Sequence, residues 1–164
     1  MRKTRRFQWG LDRSDGRLAH VARWVHVVSR TAWQEILFGD QDKETFHKIL
    51  FKQLKFSGLR VIAWCLMGNH FHLLLEVPDR EAALAALGEE DILARLSVFS
   101  GEMSTKFLQD EIDTRRRLGD TECLRQIAER VSQRLFDLSM FMKELKLRMT
   151  LAFNYAHGRT GALS

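Results

Sequence analysis

Cysteine, proline and tyrosine are scarce in this 164-residue chain, which holds two, one and one of them. Two thiols, Cys65 and Cys123, do not make the disulfide framework of a small secreted scaffold. The basic start Met1 to Arg6 is followed by polar residues from Gly10 to Arg17, where a signal peptide needs an apolar stretch. A reducing, cytoplasmic setting is therefore expected. No apolar run nears the roughly 20 residues that cross a bilayer, which removes a membrane partner. Repeats, low-complexity tracts and linkers are missing as well, so the length fits one domain, within the usual range of about 100–200 residues. What remains, 45% hydrophobic and 29% charged residues, is the composition of a folded globular protein and excludes disordered or fibrous classes.

Charge is unevenly spread. Residues 79–134 carry nine Lys and Arg against twelve Asp and Glu, a net of −3; the rest carries seventeen against nine, a net of +8, and together they give the total of +5. A basic body around an acidic middle suits an anionic partner, nucleic acid first, provided the two flanks meet in the fold. A merely solubilising surface is the competing reading.

Arg23 to Ser29 (RWVHVVS), rich in β-branched and aromatic residues, predicts a first strand. Gly39-Asp40-Gln41-Asp42 offers N-cap oxygens to an amphipathic helix whose apolar residues Phe46, Ile49, Leu50 and Leu54 recur at helical spacing until Gly58 stops it. Leu59–Met67 and His70–Val77, divided by Gly68-Asn69 and closed by Pro78, predict a β-hairpin. Residues 79–134 read as a helical insertion, with helices at Ala82–Leu87, Ile92–Phe99 and Glu122–Leu135 broken at Gly88, Gly101 and Gly119. Leu138, Phe141, Met142, Leu145, Met149, Ala152 and Phe153 then form the apolar stripe of a long helix ending near Asn154, with Lys143, Lys146 and Thr150 on its other face. This order of elements favours an α+β fold, a mainly antiparallel sheet with helices on one face.

His70-Phe71-His72 is the sharpest local feature. Side chains alternate along a strand, so both imidazoles leave one face while Phe71, Leu73 and Leu75 leave the other. Two residues of strand span about 6.6 Å, which lets two ring nitrogens share one cation. Plain surface histidines are the competing reading. Of the others, His20 lies in a polar stretch, His47 on the exposed face of its helix and His157 in the terminal turn. His26, in the first strand, either neighbours the pair or is a packed or hydrogen-bonded residue. Cys65 and Cys123 read as packing residues, and Arg115-Arg116-Arg117, among acidic neighbours, as a solvated or salt-bridged turn. Arg2, Lys3, Arg5 and Arg6 precede Phe7 and Trp9, so residues 1–22 form either a nucleic-acid arm of cations and stacking rings or a plain tail.

The run Met67 to Pro78 (MGNHFHLLLEVP) resembles the signature of the HUH transposases, which use a single catalytic tyrosine, and especially of their REP-associated branch. Trp24 to Arg30, Phe56 to Val61, Phe141 to Lys146 with Phe153-Asn154, and His157 to Leu163 resemble further family segments in the same order, so the likeness spans residues 23–163. The resemblance implies a ferredoxin-like HUH fold, a homodimer, a nucleoid-associated place in the cytoplasm, and hairpin-bearing single-stranded DNA as partner. It also implies a Mg²⁺ or Mn²⁺ ion at His70 and His72, and DNA recombination by strand cleavage and rejoining through a 5′-phosphotyrosyl intermediate. The expected DNA contacts are Arg30, Lys143, Lys146 and the arm residues Arg2, Lys3, Arg5 and Arg6.

One departure from the family bears on activity. The family's nucleophilic tyrosine lies on a later helix, four residues before an Asn or Gln ligand of the metal, and residues 1–164 read as a single HUH domain that ends before that helix. The only tyrosine, Tyr155, is followed four residues on by Arg159, a permanent cation that cannot ligate a metal. Tyr155 is thus read first as a structural or DNA-facing residue, with the nucleophile as the lesser alternative. Beside a transposase stands the alternative of a catalytically inactive or domesticated module that binds DNA hairpins without cutting them; a third reading is an unrelated metal-dependent enzyme using the two histidines.

Overall fold

The computed structural model describes residues 22–30, 38–99 and 103–160. Along the chain run β1 (Arg23–Arg30), α1 (Asp40–Ser57), β2 (Arg60–Leu66), β3 (His70–Val77), α2 (Arg80–Ala85), α3 (Glu89–Ala94), a 3-10 turn (Arg95–Phe99), α4 (Met103–Leu118), α5 (Thr121–Ser132) and α6 (Leu138–His157). β3 is the middle strand, paired antiparallel with β1 on one side and β2 on the other. Its composition sets the faces of the sheet: Phe71, Leu73 and Leu75 are buried, while His70 and His72 leave the opposite side. α1 and α6 pack on the apolar face, which gives the antiparallel α+β arrangement expected from the sequence.

Both packing helices are bounded by the residues that local chemistry favours. Asp42 reaches back to accept the Gly39 N–H (2.9 Å) at the start of α1 and also meets His157 Nε2 at 2.9 Å, tying the end of α6 to the beginning of α1. Asp137 caps α6 by accepting the Met140 N–H at 2.8 Å. Phe141, Leu145, Met149 and Phe153, four residues apart, form the buried stripe of α6, and each such side chain contributes about 1.5–3 kcal/mol by leaving water. His157 is the last residue of this helix, stacked on Phe153, rather than part of a terminal turn.

β2 departs from simple alternation. Its register against β3 shifts between Val61 and Ala63, so a bulge at Ile62 reverses the parity of the residues beyond it. Trp64 and Leu66 therefore turn toward the core, and Cys65 stands exposed opposite His72. The packing role expected for Cys65 is corrected on that ground; Cys123, by contrast, packs against a core.

Residues 80–136 build a second core around Leu93, Leu96, Phe99, Ile112, Leu124, Ile127 and Val131, and α1 inserts Phe56 into it. α4 was not among the expected helices. Among its described side chains only Ile112 is fully buried, too thin an apolar stripe to register as a period. Arg115, Arg116 and Arg117 occupy its last helical turn instead of a loop, where cations suit the carbonyl end of the dipole. The expected salt bridging is present: Arg115 meets Asp120 at 2.9 Å, and Arg116 pairs with Asp113 and Glu90.

The two cores join where α1 ends. Gly58 adopts a left-handed φ of 77°, and a Cβ there would run into the Phe136 ring, so only glycine fits. Phe136, itself at φ 54°, donates its N–H to the Ser57 carbonyl at 2.8 Å. Arg95, Arg134 and Arg148 lie over the rings of Phe136, Phe56 and Phe99, and Arg95 also donates to the Lys55 and Phe56 carbonyls that α1 leaves unpaired. Arg134 grips Glu144 of α6 at 2.6 and 3.0 Å, and Gln53 of α1 donates to the same carboxylate at 2.7 Å.

This joint can be tested at two places. Gly58→Ala should cost about 1–3 kcal/mol, a fall of roughly 2–12 °C in melting temperature; an unchanged melt would contradict the close approach of Phe136. Burial works to raise the Glu144 pKa, but the hydrogen bonds from Arg134 and Gln53 outweigh it and hold the carboxyl below its ordinary value. A depressed carboxyl pKa stabilises the fold above the unfolded-state value and loses that contribution as pH falls through the folded one. Arg134→Met should thus destabilise by about 1.5–3 kcal/mol at neutral pH and progressively less in acid, as read from denaturant midpoints across pH.

Candidate functional site

The face of the sheet turned away from α1 and α6 carries the candidate chemistry. Pairing places Val28 opposite His72, Arg30 opposite His70 and His26 opposite Leu74, and cross-strand partners share a face. Trp24, His26, Val28 and Arg30 of β1 therefore stand beside His70 and His72, with Cys65 of β2 on the other flank. Trp24 is 67% exposed, an indole left facing solvent.

Three imidazoles meet here. His26 Nε2 lies 3.0 Å from His72 Nδ1, with the rings nearly parallel, 15° apart, and their centroids 5.2 Å apart. The His70 ring lies 5.0 Å from that of His72 at 70°. His70 Nδ1 is 2.8 Å from Asn69 Oδ1; an amide oxygen only accepts, so Nδ1 carries the proton and Nε2 keeps a lone pair. Burial first, then the charges of His70, His26 and Arg30, lower the His72 pKa below the ordinary imidazole value. The shift favours the neutral form of His72, the form in which imidazole binds a metal.

The donor set fits a divalent cation in part. His70 and His72 can offer two nitrogens, but among the described residues no three His, Cys, Asp or Glu side chains converge as a cage. A hard ion such as Mg²⁺ or Mn²⁺ would take its remaining ligands as oxygen, from water or phosphate.

Of the other expected site residues, only Arg30 shares this face. Lys143, Lys146 and Tyr155 belong to α6, with the sheet between them and the histidines. Arg2, Lys3, Arg5 and Arg6 lie outside the described residues, as do Phe7, Trp9, His20 and Gly101. His26 carries more than its sequence reading gave it. The available signal was its parity, since Trp24, His26, Val28 and Arg30 alternate with Val25, Val27 and Ser29; what the sequence lacks is the register that sets β1 beside β3.

An antiparallel sheet with helices on one face and a His-x-His pair on the other agrees with the α+β arrangement that the family resemblance implies. Residues 20–87, which contain the three described strands, α1 and the histidine cluster, match the family model for IS200-like transposases. Residues beyond 87 lie outside the match. No curated protein and no solved structure matches the chain. Among the described residues no helix is long and apolar enough to cross a membrane.

The electrostatics of His72 can be checked directly. A ring whose folded pKa is depressed takes up its proton later than in the unfolded chain, so this group costs the fold stability as pH falls through the unfolded-state value and nothing well above it. In an NMR titration His72 should protonate below the ordinary imidazole range, and Arg30→Gln should move its midpoint upward. A midpoint unmoved by Arg30→Gln would contradict the contribution of that charge.

Proposed function

We propose that this transposase-family protein binds hairpin-forming single-stranded DNA and presents one phosphodiester, on the open face of its sheet, to a Mg²⁺ or Mn²⁺ ion held by His70 and His72. The supporting observation is that both histidines fall within the family stretch and leave the uncovered face together, beside the exposed Arg30. When bound, such an ion would polarise the scissile phosphate and stabilise the charge that develops on its oxygens during strand cleavage. The chain's own groups do the rest: neutral imidazoles donate lone pairs, Arg30 attracts phosphate, and Trp24 offers a ring on which a base can stack.

The nucleophile decides between cutting and holding. A 5′-phosphotyrosine needs a phenolate in line with the scissile bond. Tyr155, the only tyrosine in the sequence, is 93% exposed on α6, across the sheet from the histidines. That position favours a second reading for the 164-residue chain taken alone: it binds hairpin DNA without attacking it.

With a labelled hairpin oligonucleotide, log K should fall with log salt by roughly 0.7 per phosphate contact, and Arg30→Gln on the open face should flatten that slope by about one contact, more than Lys143→Ala with Lys146→Ala across the sheet. In Mg²⁺ or Mn²⁺ the 164-residue chain should give no covalent band on a denaturing gel. A band abolished by Tyr155→Phe would make Tyr155 the nucleophile, and a salt-independent affinity would remove the DNA reading.

A further inference from the structure

Metal-binding histidines usually donate their second ring N–H to a fixed acceptor, which sets tautomer and ring orientation. His70 has such an acceptor in Asn69 Oδ1 at 2.8 Å. For His72 the corresponding place is taken by another imidazole: the group 3.0 Å from its Nδ1 is Nε2 of His26, delivered by the neighbouring strand.

We infer that His26 is a positioning residue, whose Nε2 lone pair accepts the Nδ1 proton of His72 and so leaves His72 Nε2 free to bind the cation. Two ring nitrogens 3.0 Å apart share one proton, and only one of the two assignments suits the site. If His26 donated instead, His72 would carry its own proton on Nε2 and present N–H, rather than a lone pair, to the ion. With His26 as acceptor, both ligand rings have the same form, Nδ1–H with Nε2 open, His70 by way of Asn69 and His72 by way of His26. The near-parallel setting of His26 and His72, 15° apart, also limits rotation of the His72 ring about its side-chain bonds. The role rests on the reading of His72 as a metal ligand, but the tautomer itself does not.

Two measurements on the 164-residue chain separate the inference from that reading. In ¹⁵N-histidine NMR of the metal-free protein, above the pH at which the rings titrate, His72 should show the Nδ1–H tautomer. His26→Leu should shift it toward the mixture of a free imidazole, and His26→Gln, whose amide oxygen also accepts, should restore it. In parallel, Mn²⁺ binding followed by electron paramagnetic resonance should weaken about 10- to 100-fold in His26→Leu and recover toward wild type in His26→Gln. Melting curves of each variant identify any that fails to fold, and the wild-type tautomer then decides alone. An Nε2–H tautomer at His72 in the wild type, or His26→Leu binding Mn²⁺ as well as wild type does, overturns the role given to His26. Mn²⁺ binding that survives His72→Ala instead overturns the metal reading, and with it any effect of His26 on affinity.

Discussion

Everything in this molecule hangs on the two-sidedness of β3. A central strand with a bonded neighbour on each side has no freedom to slip, because moving it by one residue would bring His70 and His72 into the core and expel Phe71, Leu73 and Leu75. Two fully buried leucines and a phenylalanine hold the strand against α1 and α6, and the same alternation fixes the histidines on the side the helices leave bare. Packing and chemistry are thus two outcomes of one constraint. The candidate site gains rigidity from a core that it does not touch, as suits ligands that must be placed to within a fraction of an ångström.

The histidine face and the helical segment stand in different relations to that strand. β1 and β2 bring side chains directly beside the histidines, whereas residues 80–136 form their own core and meet the rest largely around the end of α1. At that joint shape and charge act together. Gly58 admits the Phe136 ring, and three arginines cover three phenylalanines while answering helix carbonyls and the Glu144 carboxylate. The acidic character of this segment is largely consumed internally, in pairs such as Arg125 with Glu122 and Arg115 with Asp120.

Local signals made much of this legible in the sequence. Gly39 and Gly58 bracket α1 because caps and left-handed stops are written in single residues, and the His-x-His alternation names its own face. What was hidden depends on pairing. Cys65 reads as buried until the bulge at Ile62 turns it outward, and a bulge leaves no mark in an apolar run such as RVIAWCL. The sequence offered His26 as a neighbour of the pair or as a packed residue, and only register decides between them, by setting it against His72, 46 positions away. α4 escaped because its charges and thin apolar stripe give too weak a period, while its contacts with α5 stabilise it in the fold.

α1 has a place in both cores, giving Phe46, Leu50 and Leu54 to one and Phe56 to the other. A helix shared in this way makes neither core independent: fraying of its last turn would open the seat of Phe136, and losing its first turn would release Asp42 from His157. Local openings that would otherwise remain separate are thereby joined into a larger cooperative unit, a single foldon that crosses the boundary between sheet and helical segment. The histidine face then inherits, through one helix, the resistance to opening of residues far beyond the strands that carry it.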